Sequence, residues 1–338
     1  MNNLFSNINA EYKPVQKELW TGRQTPANIA PQYWYQHIEC GDLIHSEANE
    51  KPSFALIGYA CDEGVRRNFG RVGAVEGPQA IREKLAKLPL HFDKTVVDFG
   101  NVNCLDGDLE SCQKAFSLAI ANLIDKGVFP IGLGGGHDIA YAHYMGLKKA
   151  LPKKRIGIIN FDAHFDLRPV ESQPNSGTPF NQILSEFKKR GETVDYFAIG
   201  IQKQSNTKEL FEIAKKYNVN FVFNDACYTS KENLQQLQNE LKSIIGNNDY
   251  LYITIDLDGF SSAYASGVSA PSPFGFSPIF VCKMLEFLLK SGKVVSCDIA
   301  ELNPKYDKDT LTASLAAKLI DFVISNTQEK RANLPFRS

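Results

Sequence analysis

The chain has almost no net charge: 37 lysines and arginines stand against 38 aspartates and glutamates in 338 residues. That balance removes the sequence-independent attraction on which binders of nucleic acid and of anionic membranes rely. No apolar run approaches the roughly 18 residues of a membrane-spanning helix. The opening MNNLFSNINAEYKPVQ lacks the basic region and apolar stretch of a secretory signal. A cytoplasmic protein acting on a small molecule is expected, with neither nucleic acid nor membrane as partner. The seven cysteines (40, 61, 104, 112, 227, 282 and 297) form an odd set without a CxxC pair. That is a poor framework for disulfides or zinc, so they are expected to be scattered free thiols packed as small apolar residues. No repeat of fixed period and no Ser/Gly-rich linker divides the chain.

What the sequence does contain is alternation. Short apolar or β-branched runs at 54–59, 95–99, 128–133, 155–161, 196–201, 220–223, 250–257 and 294–299 read as strands. Amphipathic stretches at 108–126, 138–150, 178–190, 205–217, 230–245, 277–290 and 307–325 read as helices. Asp108, Ser205, Ser230, Ser277 and Asp307 stand where an N-cap is needed. Runs such as VFPIGL, IGIINF and LYITIDL are continuously apolar, as expected where helices cover both faces of a parallel sheet. The pattern predicts an α/β fold: a single doubly wound domain over 51–330, with a mostly parallel sheet of about eight strands flanked by helices. Residues 1–50, irregular and aromatic (Trp20, Tyr33, Trp34, Tyr35), are expected to be an extension packed on that core.

In open α/β sheets ligands bind beyond the carboxyl ends of the strands, and four strand ends here carry chemistry. Gly134-Gly135-Gly136-His137-Asp138 follows one, Asp162-Ala163-His164-Phe165-Asp166 another, Asp256-Leu257-Asp258 a third, and Asp298-Ile299-Ala300-Glu301 the last. In Asp162-x-His164 and Asp256-x-Asp258 the spacing of two puts both side chains on one face of extended backbone. His137, Asp162, His164, Asp166, Asp256 and Asp258 together offer two imidazoles and four carboxylates, which suits two divalent ions better than one. Four carboxylates at −1 cancel two ions at +2, whereas unmetallated they would repel one another or take up protons. Oxygen-rich donors with some imidazole favour Mn²⁺ over thiolate-preferring metals, with Zn²⁺ and Co²⁺ still open. The triple glycine is no phosphate loop, because no Gly-Lys-Ser/Thr follows it. Asp138 is expected to cap the helix after it.

GGGHD, NFDAHFDLR, TIDLD and DIAELNP resemble, in order, the four signature segments of the arginase/agmatinase (ureohydrolase) family, and together they span roughly residues 53–325. The resemblance implies an arginase-like doubly wound sheet around a dinuclear manganese centre. It places one ion on His137, Asp162, Asp166 and Asp256 and the other on Asp162, His164, Asp256 and Asp258, with Asp162 and Asp256 bridging. Segments 61–68 (CDEGVRRN), 70–74 (GRVGA), 76–78 (EGP), 176–180 (SGTPF), 200–202 (GIQ), 205–207 (SNT) and 267–271 (GVSAP) are similar to the formimidoylglutamase branch of that family. That likeness implies hydrolysis of N-formimidoyl-L-glutamate to L-glutamate and formamide, a step of histidine degradation, and also implies a homo-oligomer. Arginases and agmatinases commonly carry His where this chain has Ser176, so a proton shuttle assigned to that His has no counterpart here. Gly259 also departs from the larger apolar residue often found there.

On this reading Asp166 carries the proton and Glu301 pairs with the amidinium. Arg66, Arg67, Arg71 and Arg168 are candidates for the substrate carboxylates, which planar guanidinium binds bidentately. Asn175, Ser176 and Thr178 offer further hydrogen bonds. The alternatives are another ureohydrolase (agmatinase, guanidinobutyrase or arginase), a dinuclear phosphoesterase, or a metal-binding scaffold without turnover. The arginines of 64–71 favour an acidic substrate over an amine-tailed one.

Overall fold

The computed structural model describes residues 4–26, 28–45 and 53–328. The expected division at 50/51 and the expected domain end at 330 lie outside them. Ten strands form one sheet in the described residues: β1 Ala10–Lys13, β2 Glu39–Cys40, β3 Phe54–Ala60, β4 Val96–Cys104, β5 Phe129–Gly134, β6 Ile156–Phe161, β7 Tyr196–Ile201, β8 Asn220–Phe223, β9 Tyr250–Asp256 and β10 Val294–Ala300. The order across the sheet is β1-β4-β3-β5-β10-β9-β6-β7-β8, with β2 also on β4. All pairs are parallel except β1 with β4.

The eight expected strands are β3 to β10, and the count of eight is corrected to ten. β4 runs on to Cys104 rather than stopping at 99, which leaves a long outer edge. β2 pairs with Val97 and Asp98 on that edge, and β1 pairs with Asn101 to Cys104. Both are short, β1 only partly covered and β2 exposed, so neither carries the apolar run that marks an inner strand.

The helices are α1 Trp34–His37, α2 Glu63–Arg67, α3 Gly77–Leu85, α4 Leu109–Asp125, α5 Ile139–Ala150, α6 Pro179–Lys189, α7 Lys208–Lys216, α8 Lys231–Asn247, α9 Pro278–Lys290 and α10 Leu311–Asn326. They bury their apolar sides in two cores, one on each face of the sheet. Ile81, Leu241, Met284 and Ile320 of α3, α8, α9 and α10 share one core; Phe116, Leu147, Phe180 and Leu210 of α4 to α7 share the other. Alternate strand residues feed the two sides: Leu251, Ile253 and Ile255 of β9 point to the first and Tyr250 and Tyr252 to the second. No helix among the described residues is long and apolar enough to cross a membrane.

Three expected caps form: Asp108, Ser230 and Ser277 accept from the backbone N–H of Ser111, Asn233 and Phe280 at 3.0, 3.2 and 3.2 Å. Two differ. Residues 203–205 make a 3₁₀ turn, so α7 starts after Thr207 rather than Ser205. Asp307 acts from farther back, accepting from Thr312 and Ala313 at 2.8 and 2.9 Å. On the β4 edge, buried Arg82 of α3 forks onto Asp98 through Nε and Nη2 at 2.7 and 2.8 Å, and Trp20 Nε1 donates to the same carboxylate at 3.0 Å. The indole of buried Trp34 donates to Asp321 of α10 at 2.8 Å.

Candidate metal centre and cavity

The winding of the sheet puts β5, β10, β9 and β6 side by side at its centre. β6 runs on to β7 on one side while its neighbour β9 turns back to β10 on the other, so the connections leave these adjacent strands in opposite directions and their ends open a crevice. The four chemistry-bearing segments are the carboxyl ends of these four strands. The glycines after β5 allow a tight passage: a Cβ on Gly135 would lie 2.3 Å from the Cys61 carbonyl oxygen, and one on Gly134 would lie 2.9 Å from that of Ile299. Asp166 and Glu301 have φ of 47° and 68°. Left-handed backbone at a non-glycine residue costs about 1–3 kcal/mol and collects at functional sites. Here it turns both carboxylates back to the rim.

His137 Nδ1 lies 3.2 Å from Asp162 Oδ2, 2.9 Å from Asp166 Oδ2 and 3.0 Å from Asp256 Oδ2. His164 Nδ1 lies 3.3 Å from Asp162 Oδ1 and 3.3 Å from Asp258 Oδ1. The donors fall into two groups, His137-Asp162-Asp166-Asp256 and Asp162-His164-Asp258, each with its atoms within 4.8 Å of one another. Asp162 belongs to both and gives one oxygen to each. Glu301 accepts the backbone N–H of His137 at 2.8 Å.

Burial pushes the Asp258 carboxyl up to about 7. Burial and neighbouring carboxylates push Asp256 and Glu301 well above the usual range and raise Asp166. Burial opposes ionisation of Asp162 as well, but hydrogen bonds from His137 and His164 outweigh it and hold the carboxyl low. Burial alone would lower both histidines; the surrounding carboxylates raise them well above 6.5 instead. The cluster thus asks for positive charge. Asp258 Oδ1 is buried and lacks hydrogen-bond geometry to any donor. A buried oxygen with only the His164 imidazole near it, out of hydrogen-bond geometry, and an all-oxygen-and-imidazole donor set fit hard or borderline divalent ions.

A further layer was not foreseen. His137 Nε2 lies 3.0 Å from Thr254 Oγ1, which donates to Asp298 Oδ1 at 2.6 Å; Tyr252 and His143 bond Asp298 Oδ2 at 2.5 and 2.6 Å, and His143 also bonds Ser296. This network fixes the imidazole with Nδ1 toward the carboxylates. Its signal was available: Tyr252, Thr254 and Asp256 alternate along β9, and Asp298 pairs in register with Thr254. Asn206 was also missed. Its side chain donates to the carbonyls of Ala163 and Gln202 and accepts from Phe165 N–H, bracing the 162–166 turn. Asp138 heads α5 without capping it; Tyr59 donates to its Oδ2 at 2.6 Å instead, and burial pushes the carboxyl up to about 7.

A cavity of about 310 Å³ opens above the cluster, with His164, Asp166, Asp256, Asp258 and Glu301 on its floor and Asn68, Arg71, Arg168 and Ser176 on its walls. Arg168 Nη1 donates to Asn68 Oδ1 at 3.0 Å, and Asn68 Nδ2 donates to Ser176 Oγ at 3.1 Å. Arg71 bonds the carbonyls of Val268 and Ser269 and stacks on Tyr306. Arg66, Arg67, Asn175 and Thr178 do not line this cavity. Arg66 and Arg67 both bind Glu63, and Arg67 also binds Glu110. Thr178 and Asn175 close their own turn, Thr178 Oγ1 donating to the Asn175 carbonyl at 2.9 Å.

A winding of this kind with such a donor cluster at its switch point defines a class, and the sequence agrees. Residues 52–325 match the arginase family, and the chain belongs to it. Among curated relatives, a formimidoylglutamase of Legionella pneumophila is 42% identical over 313 residues, covering 92% of this chain and 96% of that one. A formimidoylglutamase of Clostridium tetani is 41% identical over 328 residues, covering 94% and 96%. Among solved structures, the formimidoylglutamase from Bacillus subtilis superposes with TM-score 0.78 at 20% identity, covering 90% of this chain and 94% of that one. The Trypanosoma cruzi formiminoglutamase, solved with Mn²⁺, gives 0.71 at 24% identity, covering 82% and 95%.

Proposed function

We propose that the chain hydrolyses N-formimidoyl-L-glutamate to L-glutamate and formamide, using two divalent ions, Mn²⁺ by preference. The observation that carries this reading is one cavity with carboxylates on its floor and two guanidiniums on its walls. It complements a molecule with a cationic amidinium head and a dicarboxylate tail. The identity to formimidoylglutamases over nine-tenths of the chain supports the same substrate.

His137, Asp162, Asp166 and Asp256 would hold one ion, and Asp162, His164, Asp256 and Asp258 the other. When bound, the ions supply a water acidified toward neutral pH. Glu301 holds the amidinium through charge-assisted hydrogen bonds. Water adds to the formimidoyl carbon, and Asp166 takes its proton and passes it to the glutamate nitrogen as the C–N bond breaks. Arg168 and Arg71 bind the carboxylates and set which nitrogen faces Asp166. Ser176 stands where a shuttle His is absent, so Asp166 alone moves the proton.

The test is product analysis of Mn²⁺-loaded protein on N-formimidoyl-L-glutamate, agmatine, L-arginine and 4-guanidinobutyrate in parallel. Formamide and glutamate in equal amounts, with no urea from the guanidino compounds, is the expected result. Urea release from any of them in preference overturns the substrate assignment.

A further inference from the structure

Three of the seven thiols are not scattered. The sulfurs of Cys61, Cys104 and Cys112 lie within 4.8 Å of one another. They come from three elements: Cys61 follows β3, Cys104 ends β4, and Cys112 lies in the first turns of α4. β3 pairs with β4 so that Ala60 faces Asn103, which makes Cys61 and Cys104 the next cross-strand neighbours. Spacings of 43 and 8 residues match no metal motif, so only the fold brings them together. Cys61 and Cys112 are buried and Cys104 is half-buried, so Cys104 is the approach from solvent.

Three sulfurs around one ion at a metal–sulfur distance of about 2.3 Å stand about 4 Å apart, against the 4.8 Å within which these sulfurs already lie. The group holds no imidazole and no carboxylate oxygen. Such a donor set selects soft, thiophilic ions and rejects the oxygen-seeking ions suited to the carboxylate cluster. The thiols of Cys112 and Cys61 pull the Cys104 thiol down to about 4, while Cys104 holds the Cys61 thiol up and burial holds Cys112 up. The amino end of α4 favours negative charge at Cys112. Arg67 also reaches the turn between Cys104 and Cys112, donating to the Gly107 carbonyl at 3.1 Å, with its charge met by Glu63 and Glu110.

We propose that Cys61, Cys104 and Cys112 form a second metal site, for one soft monovalent ion of the Cu(I) class, separate from the carboxylate centre. Binding puts three thiolates around the ion and releases the protons that the sulfurs carry, with no change of oxidation state. The site adjoins the loop that carries His137, since the Cys61 carbonyl accepts the Gly136 N–H at 2.9 Å.

The test uses the full chain, reduced, Mn²⁺-loaded and under argon, titrated with Cu(I) against a chromogenic Cu(I) chelator. One equivalent retained against the chelator is expected. Cys104→Ser should weaken retention at least tenfold, while Cys40→Ser and Cys282→Ser, outside the cluster, retain the full equivalent. Failure to retain Cu(I), or unchanged retention by Cys104→Ser, overturns the proposal. A second measurement needs no variant. One equivalent of Cu(I) should block alkylation of Cys104 by iodoacetamide while exposed Cys40 stays reactive, and equal reactivity of Cys104 with and without Cu(I) overturns the site.

Discussion

Glu301 accepts the backbone N–H of His137 at 2.8 Å, joining the ends of β10 and β5 across 164 residues of sequence. The bond engages Oε1 and sets the carboxylate over the cluster, where it lines the cavity floor. Glutamine can accept the same N–H but cannot pair with an amidinium. Glu301→Gln should therefore keep the bound ions and lower kcat/KM by about 100-fold or more, the range for losing a group that acts on transition-state charge. Metal analysis beside steady-state kinetics checks this; loss of the ions would make Glu301 a scaffold residue instead.

The metal-free cluster should be sensitive to pH. Asp258 titrates at about 7 in the fold, with Asp256 and Glu301 well above their ordinary values. Between about 4, where an unfolded carboxyl ionises, and about 7, the folded chain holds protons that the unfolded chain has released. Stability of the metal-free protein therefore falls as pH rises through that window. The raised histidines act in the same direction, since their stabilising protons are lost as pH rises. Ions must displace all these protons, so they bind better at higher pH. The gap in Tm between Mn²⁺-loaded and chelator-stripped protein should be wider at pH 8 than at pH 6, and a gap that narrows contradicts the site.

Arg168 and Arg66 are both exposed, but only Arg168 lines the cavity. Removing a guanidinium that binds carboxylate removes an interaction present in ground and transition states alike. Arg168→Ala should raise KM by about 10- to 100-fold, the loss of one charged hydrogen-bond pair, with little change in kcat. Arg66→Ala should leave both near the parent values. The same assay on both variants decides, and an effect of Arg66→Ala matching that of Arg168→Ala would move the carboxylate site toward α2.

Buried Arg82 and Asp98 pair with fork geometry, and Trp20 joins the same carboxylate. Removing one partner strands a buried charge, which costs about 3–5 kcal/mol. Arg82→Ala should lower unfolding free energy by that amount in denaturant titration, and a loss under about 1 kcal/mol would show that Asp98 finds other donors.

The sequence made the inner sheet legible because β3, β5, β6, β7, β9 and β10 are buried along their whole length, and it made the six donors legible because each stands at a strand's carboxyl end. It hid what depends on the third dimension. β1 and β2 are edge strands that need no full apolar pattern. Arg66 and Arg67 looked like a carboxylate clamp, but they lie within one turn of Glu63, which takes both. The Cys61–Cys104–Cys112 cluster and the Thr254–Asp298 support of His137 arise from register between neighbouring strands, which spacing within one segment does not encode.

The most direct test of the account is an anomalous difference map from Mn²⁺-loaded crystals, measured across the manganese edge. The account predicts two peaks per chain, one beside His137 Nδ1 and one beside His164 Nδ1, with Asp162 reaching both. A single peak, or peaks away from these six residues, would contradict it.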